Sequence, residues 1–118
     1  VSIERITHLI GGTPWTGVSE RTSKVYNPAT GEVTGELDLA SAATVDEIVK
    51  VANDASKAWG KTSLTKRAQV LFAFRELLNE RKKDIAALIT AEHGKVLSDA
   101  LGEVTRGLEV VEFACGIP

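Results

Sequence analysis

The chain has 118 residues, 43% of them hydrophobic and 25% charged, which is enough for one domain with its own core. That balance excludes a disordered segment, and no apolar run approaches the roughly 20 residues that cross a bilayer. A net charge of −2 leaves no electrostatic footprint for a nucleic acid, and the basic run Arg81-Lys82-Lys83 reads as a solvated helix face.

The first forty residues read as β structure. RITHLIGG, residues 5–12, has strand-like apolar content and stops at Gly11-Gly12, a turn signal. TPWTG, residues 13–17, predicts a second turn, with Pro14 fixing φ and Gly17 free to take positive φ. RTSKVYNP (21–28) and EVTGELDLA (32–40) are rich in β-branched residues and flank NPATGE, where Pro28 and Gly31 favour a turn. They predict two antiparallel strands in a hairpin or meander.

The hydrophobic period then changes to that of a helix. Thr44 followed by Glu47 has the spacing of a capping box, and Val45, Ile48, Val49, Ala52, Ala55 and Trp59 recur at helical intervals up to Gly60. A second helix starts from Thr62 or Ser63. It carries Leu71, Phe74, Leu78, Ile85, Leu88 and Glu92 on one stripe and ends at His93, with Gly94 as a ready C′ residue. Its thirty or so residues would span about 45 Å. A third helix starts near Ser98, with Asp99 well placed against the helix dipole, and ends at Gly116. Leu101, Val104, Leu108 and Val111 form its inner face. Gly102 and Gly107 each cost about 1 kcal/mol relative to alanine and hint at close approach by another backbone. The expected fold is therefore α+β: a β region over residues 1–40 and a helical region over 44–118, with three helices, the second long.

Cys115, the only cysteine, cannot form an intramolecular disulfide, which favours a reducing, cytoplasmic compartment. No signal peptide is legible in residues 1–12, and the sequence contains no methionine, as in a processed piece of a longer polypeptide. A nucleophilic cysteine needs a base, a cation or a helix N-terminus. Cys115 stands instead at a helix C-terminus among Phe113, Ala114 and Ile117, so it reads as a small buried hydrophobe. His8 and His93 lack the spaced partners of a metal site. GGTP (11–14) and EHGK (92–95) match neither phosphate-binding glycine pattern and read as a turn and a helix cap. Arg106 is the one candidate binding residue. It shares a stripe with Asp99, Gly102, Val110 and Phe113, opposite the Leu101 face. Either it pairs with Glu103 or Glu109 on the surface, or it offers its planar fork to a carboxylate.

VYNPATGEV (25–33), VANDASKAWGKTSLTKRAQVLFAFRELL (51–78) and LITAEHGKVLSDALGEV (88–104) together resemble the aldehyde dehydrogenase superfamily, in order and in register. HLIGG (8–12) and AEHGKVLSDALGEVTRGLEVVEFACGIP (91–118) most resemble its CoA-acylating methylmalonate-semialdehyde dehydrogenases. The resemblance implies the N-terminal part of an α/β NAD-binding domain. It also implies an oligomeric parent enzyme that uses NAD and CoA and converts methylmalonate or malonate semialdehyde to an acyl-CoA with loss of carbon dioxide. The implied chemistry is a thiohemiacetal on a cysteine, hydride transfer to NAD and thioester transfer to CoA. It places the nucleophilic cysteine, the nucleotide-binding strands and an oligomerisation strand in later segments, so the chain alone is expected to be inactive. Arg106 matches a position that binds the substrate carboxylate in that subfamily. With apolar faces uncovered, the chain is expected to self-associate. Two other readings start from composition alone: a freestanding helical dimerisation module, and a small thiol enzyme built on Cys115.

Overall fold

A computed structural model describes residues 3–118. The chain divides into two units, residues 1–61 and 62–118. The β region read over residues 1–40 begins with Val1 and Ser2, which lie outside the described residues.

The first unit holds five short strands and one helix: β1 (Glu4–Ile6), β2 (Leu9–Ile10), β3 (Thr13–Pro14), β4 (Thr22–Tyr26), β5 (Val33–Asp38) and α1 (Ala42–Trp59). The hairpin β4–β5 is antiparallel, with an irregularity at Val25/Tyr26. Its turn is built by Asn27, whose Oδ1 accepts from the amides of Ala29 (2.8 Å) and Thr30 (3.3 Å), and by Gly31 at φ +74°. β1 joins the other edge of β5 in parallel, giving the order β1-β5-β4. Gly35 sits at the centre of this sheet. A Cβ there would lie 3.1 Å from Ile6 Cδ1 and 3.3 Å from the Glu4 carbonyl, a tight contact that glycine avoids.

β2 and β3 form a separate two-stranded ribbon. Its turn is Gly11-Gly12, both at positive φ, as a two-residue primed hairpin demands. The expected turn over 13–17 is only partly right. Thr13 and Pro14 are a short strand, Pro14 opposite Leu9. Gly17 does not take positive φ; it is needed because the Trp15 indole lies against its Cα.

Ser41, not Thr44, caps α1: its Oγ accepts from the Thr44 amide at 3.1 Å. Ser41 precedes the helical period and offers the same chemistry one turn earlier. α1 buries none of its side chains fully, and Val45, Val49 and Trp59 remain about half exposed.

The second unit contains α2 (Leu64–Glu80), α3 (Lys82–His93) and α4 (Leu97–Gly116). The single long helix expected over 62–93 is in fact two, of 17 and 12 residues. Arg81, at φ −99° and ψ 13°, ends one and starts the other. The break carries no proline or glycine, so the sequence does not announce it. Its effect is to re-phase the apolar stripe. Past the bend Ile85 keeps its expected place on the core side and is joined there by Ala86 and Ile89, while Leu88 and Glu92, placed on the stripe by an unbroken period, are exposed. Ser63 caps α2 as expected, and Gly94 closes α3 at φ +84° with its amide on the Thr90 carbonyl. α4 starts at Leu97 without a side-chain cap rather than at Ser98.

The core of this unit is Ala86, Ala100 and Val104, flanked by Leu78, Ile85, Ile89 and Leu101. The predicted inner face of α4 holds: Val104 is buried, and Leu101, Leu108 and Val111 are half-buried. No described side chain larger than valine is fully buried, and Phe72, Phe74, Leu77, Val110 and Phe113 are among many large apolar residues left exposed.

Candidate functional site

Helix α4 carries the one side chain that the sequence marks for binding. Arg106 projects from its exposed stripe, and its Nη1 lies 3.6 Å from where a Cβ on Gly102 would stand. The guanidinium thus rests over a residue with no side chain. The pairing expected with Glu103 or Glu109 is absent. Glu103 is taken by Lys95 at 2.7 Å, and Arg106 has no hydrogen bond or ion pair among the described residues. The Lys95 ammonium holds the Glu103 carboxyl below the usual glutamate range, with Arg106 and His93 adding weaker positive fields. Two cations, Lys95 and Arg106, therefore stand near one carboxylate, and Arg106 keeps its donors free. A planar fork with free donors is the group that grips a carboxylate through two parallel hydrogen bonds.

The rest of the stripe is open. Asp99, Val110 and Phe113 are exposed, Phe113 at 75%. Among the described residues nothing lies within 4 Å of where a Cβ on Gly107 would stand, so they do not make the close approach that its glycine hinted at.

A second polar feature escaped the sequence reading. Arg75 on α2 donates from Nε (3.0 Å) and Nη2 (2.6 Å) to one oxygen of Glu112 on α4, and from Nη1 to Glu76 (2.7 Å). Glu112 first, then Glu76, raises the arginine further above its usual range. No local signal could have paired residues 37 apart in the chain. Beside them a cavity of about 240 Å³ is lined by Phe72, Arg75, Glu76, Glu112 and Cys115. Cys115 is a buried free thiol, 7% exposed, as its sequence setting predicts for a packing residue. A larger apolar hollow of about 420 Å³ lies at the α2–α3 bend, between Phe74, Leu77, Leu78, Arg81 and Ile85.

In the first unit the His8 and Trp15 rings meet at a tilt of 48°, with centroids 5.1 Å apart. Among the described residues no group of His, Cys, Asp and Glu could hold a metal ion, and no helix is long and apolar enough to cross a membrane. The glycine turns do not fit a nucleotide. Gly11-Gly12 joins two strands rather than a strand to a helix, and Gly94 ends a helix instead of opening one, so neither presents a helix N-terminus to a phosphate.

This arrangement of hairpin, amphipathic helix and three-helix unit has relatives. The aldehyde dehydrogenase family model matches residues 15–118. The chain belongs to the aldehyde dehydrogenase family. It is 45% identical over 113 residues to malonate-semialdehyde dehydrogenase 3 of Bacillus cereus, a match that covers 96% of this chain and 23% of that protein. It is 44% identical over 115 residues to the malonate-semialdehyde dehydrogenase of Halalkalibacterium halodurans, covering 98% and 24%. Among solved structures it is similar to the methylmalonate-semialdehyde dehydrogenase of Oceanimonas doudoroffii, with a TM-score of 0.92 and 46% identity over 98% of this chain and 24% of that one. It is also similar to a candidate methylmalonate-semialdehyde dehydrogenase of Sinorhizobium meliloti complexed with NAD, with a TM-score of 0.93 and 42% identity over 99% and 24%. The chain thus spans about a quarter of the length of the aldehyde dehydrogenases it matches. The α+β fold read from the sequence is that of the corresponding quarter of these enzymes.

Proposed function

We propose that residues 1–118 are the N-terminal part of the NAD-binding domain of an NAD-dependent, CoA-acylating malonate- or methylmalonate-semialdehyde dehydrogenase. In that enzyme Arg106 binds the substrate carboxylate. One observation carries the reading: Arg106 keeps its donors free over Gly102 while its neighbour Glu103 is occupied by Lys95. Malonate and methylmalonate semialdehydes differ from simple aldehydes by a carboxylate beyond the reacting carbonyl. An unpaired guanidinium is the complement of that second group.

In the proposed reaction NAD supplies the hydride acceptor and CoA the acyl acceptor, and carbon dioxide is lost. None of the residues described above is assigned to either cofactor. What this chain contributes is charge and orientation. Arg106 holds the far end of the substrate, so that the aldehyde end is presented to a nucleophile outside this segment. Cys115, buried at the end of α4, takes no part. The enzyme is proposed to be cytoplasmic, in keeping with a single free thiol, and oligomeric, in keeping with the exposed apolar side chains on α2 and α4.

The test replaces the matched residues of the Bacillus cereus relative with this sequence. The chimera is expected to reduce NAD with malonate semialdehyde in a CoA-dependent way and to form acyl-CoA. The isolated chain, given the same reagents, is expected to produce no NADH. A well-folded chimera without activity, or turnover by the isolated chain, would contradict the reading.

A further inference from the structure

At its buried centre helix α4 meets its neighbours through small side chains, with the larger Leu78, Ile85, Ile89 and Leu101 only partly buried around them. Ala86, Ala100 and Val104 make up the buried centre of the helical unit. Alanine surfaces interlock little, so they restrain the rotation of a helix weakly compared with interdigitated large residues. Two ion pairs add directional restraint to that packing. Lys95, in the turn before α4, holds Glu103 at 2.7 Å. Arg75, on α2, holds Glu112 through Nε and Nη2, and Glu76 occupies its remaining arm. Glu103 and Glu112 are separated by about two and a half helical turns and so leave opposite sides of the axis. Ties on opposite sides resist rotation in both senses.

Arg106 lies between them on the same helix. A rotation of α4 by about 10° would carry an atom about 6 Å from the axis through about 1 Å. A displacement of that size is enough to spoil a forked contact with a carboxylate. A single exposed ion pair contributes little to stability, but this one crosses between two helices and uses a forked donor, so its effect is on position.

We propose that Arg75 is a positioning residue: its forked bridge to Glu112 sets the rotation of α4 and thereby the place of the Arg106 guanidinium. The inference rests on the carboxylate-binding role given to Arg106. It makes Arg75 a determinant of specificity for carboxylated aldehydes without touching the substrate.

The experiment uses the active chimera and reads the ratio of kcat/KM for malonate semialdehyde to that for propanal, which lacks the carboxylate. The ratio is independent of the fraction of enzyme that folds, because both substrates meet the same sample. Arg75→Gln and Glu112→Gln are each expected to lower it about tenfold. Arg75→Lys keeps the charge but not the fork and should lie between them and the parent. The exchange of Arg75→Glu with Glu112→Arg should restore most of the loss. An unchanged ratio in Arg75→Gln, or a loss the exchange does not repair, overturns the proposal. Arg106→Ala separates the two claims. If it lowers the ratio and Arg75→Gln does not, only the positioning role fails; if Arg106→Ala leaves the ratio unchanged, the carboxylate-binding role fails.

Discussion

Arg5 and Asp38 are joined across the parallel β1–β5 edge. The guanidinium places Nε at 2.9 Å and Nη2 at 2.7 Å from the same carboxylate oxygen, and Nη2 also donates to the Gly17 carbonyl at 2.7 Å. Asp38 is only 5% exposed and ends β5. One arginine therefore ties two strands and the Trp15–Gly17 loop together. The buried end of this pair is Asp38, while the Arg5 side chain remains about half exposed.

The pair makes stability depend on pH. The hydrogen bond from Arg5 is the main cause holding the Asp38 carboxyl below its ordinary value, against the opposing effect of burial. A lowered carboxyl pKa stabilises the folded form fully above the unfolded value of about 3.9, and that contribution is lost as pH falls through the lower folded value. Arg5→Ala leaves a buried carboxylate without its charged partner, with the Thr7 side chain still beside it. It should lower Tm by several degrees near neutral pH and flatten the fall of Tm in acid. Thermal melts across the acid range check both; parallel Tm–pH curves for parent and variant would contradict the pairing.

Helix capping offers a second check. Ser41 accepts from the Thr44 amide at 3.1 Å and Ser63 from the Lys66 amide at 3.3 Å. Ser41→Ala and Ser63→Ala should each cost about 1 kcal/mol in denaturant unfolding. Thr44→Ala should cost less, because Thr44 lies inside α1 and is not its cap.

The alanine centre of the helical unit has no room to grow. Ala86 and Ala100 are fully buried where α3 meets α4. Ala100→Leu should destabilise by about 1–3 kcal/mol, as overpacking does. A neutral result in urea unfolding would mean that α4 does not seat as described.

These contacts show how far the residues speak for themselves. The β4–β5 hairpin, the glycine turn at 11–12, the Ser63 cap and the Gly94 cap follow from local chemistry and were legible. The bend at Arg81 was not, because it depends on how Ile85 and Ala86 meet α4 and has no proline or glycine to mark it. The parallel seat of β1 beside β5 and the Arg75–Glu112 bridge pair residues far apart in sequence, which no local period can show. At the candidate site, the helical period correctly put Arg106 opposite the Leu101 face. That Lys95 would claim Glu103 and leave Arg106 free is a competition between neighbours, and spacing alone does not decide it.

Cys115 provides a check on the site by exclusion. Buried at 7% exposure, it should react slowly with a maleimide in the folded chain and quickly in denaturant. In the chimera, Cys115→Ala should retain at least half of the turnover rate, since removing a small packing group acts only through stability. Loss of turnover with an unchanged melting temperature would point instead to a thiol function.

The exposed apolar side chains predict self-association of the isolated chain. Phe113, Val110 and Phe72 are 75%, 67% and 56% exposed, more than a soluble monomer usually presents in such number. Light scattering after size exclusion should give a mass above that of one chain at micromolar concentration. A monomer would contradict it.

The carboxylate-binding role of Arg106 is tested most directly by Arg106→Ala in the active chimera, read as kcat/KM for malonate semialdehyde relative to propanal. Loss of a charged, forked hydrogen-bond donor is expected to lower that ratio by about 100-fold, with Arg106→Lys recovering part of it. A ratio equal to that of the parent would contradict the account.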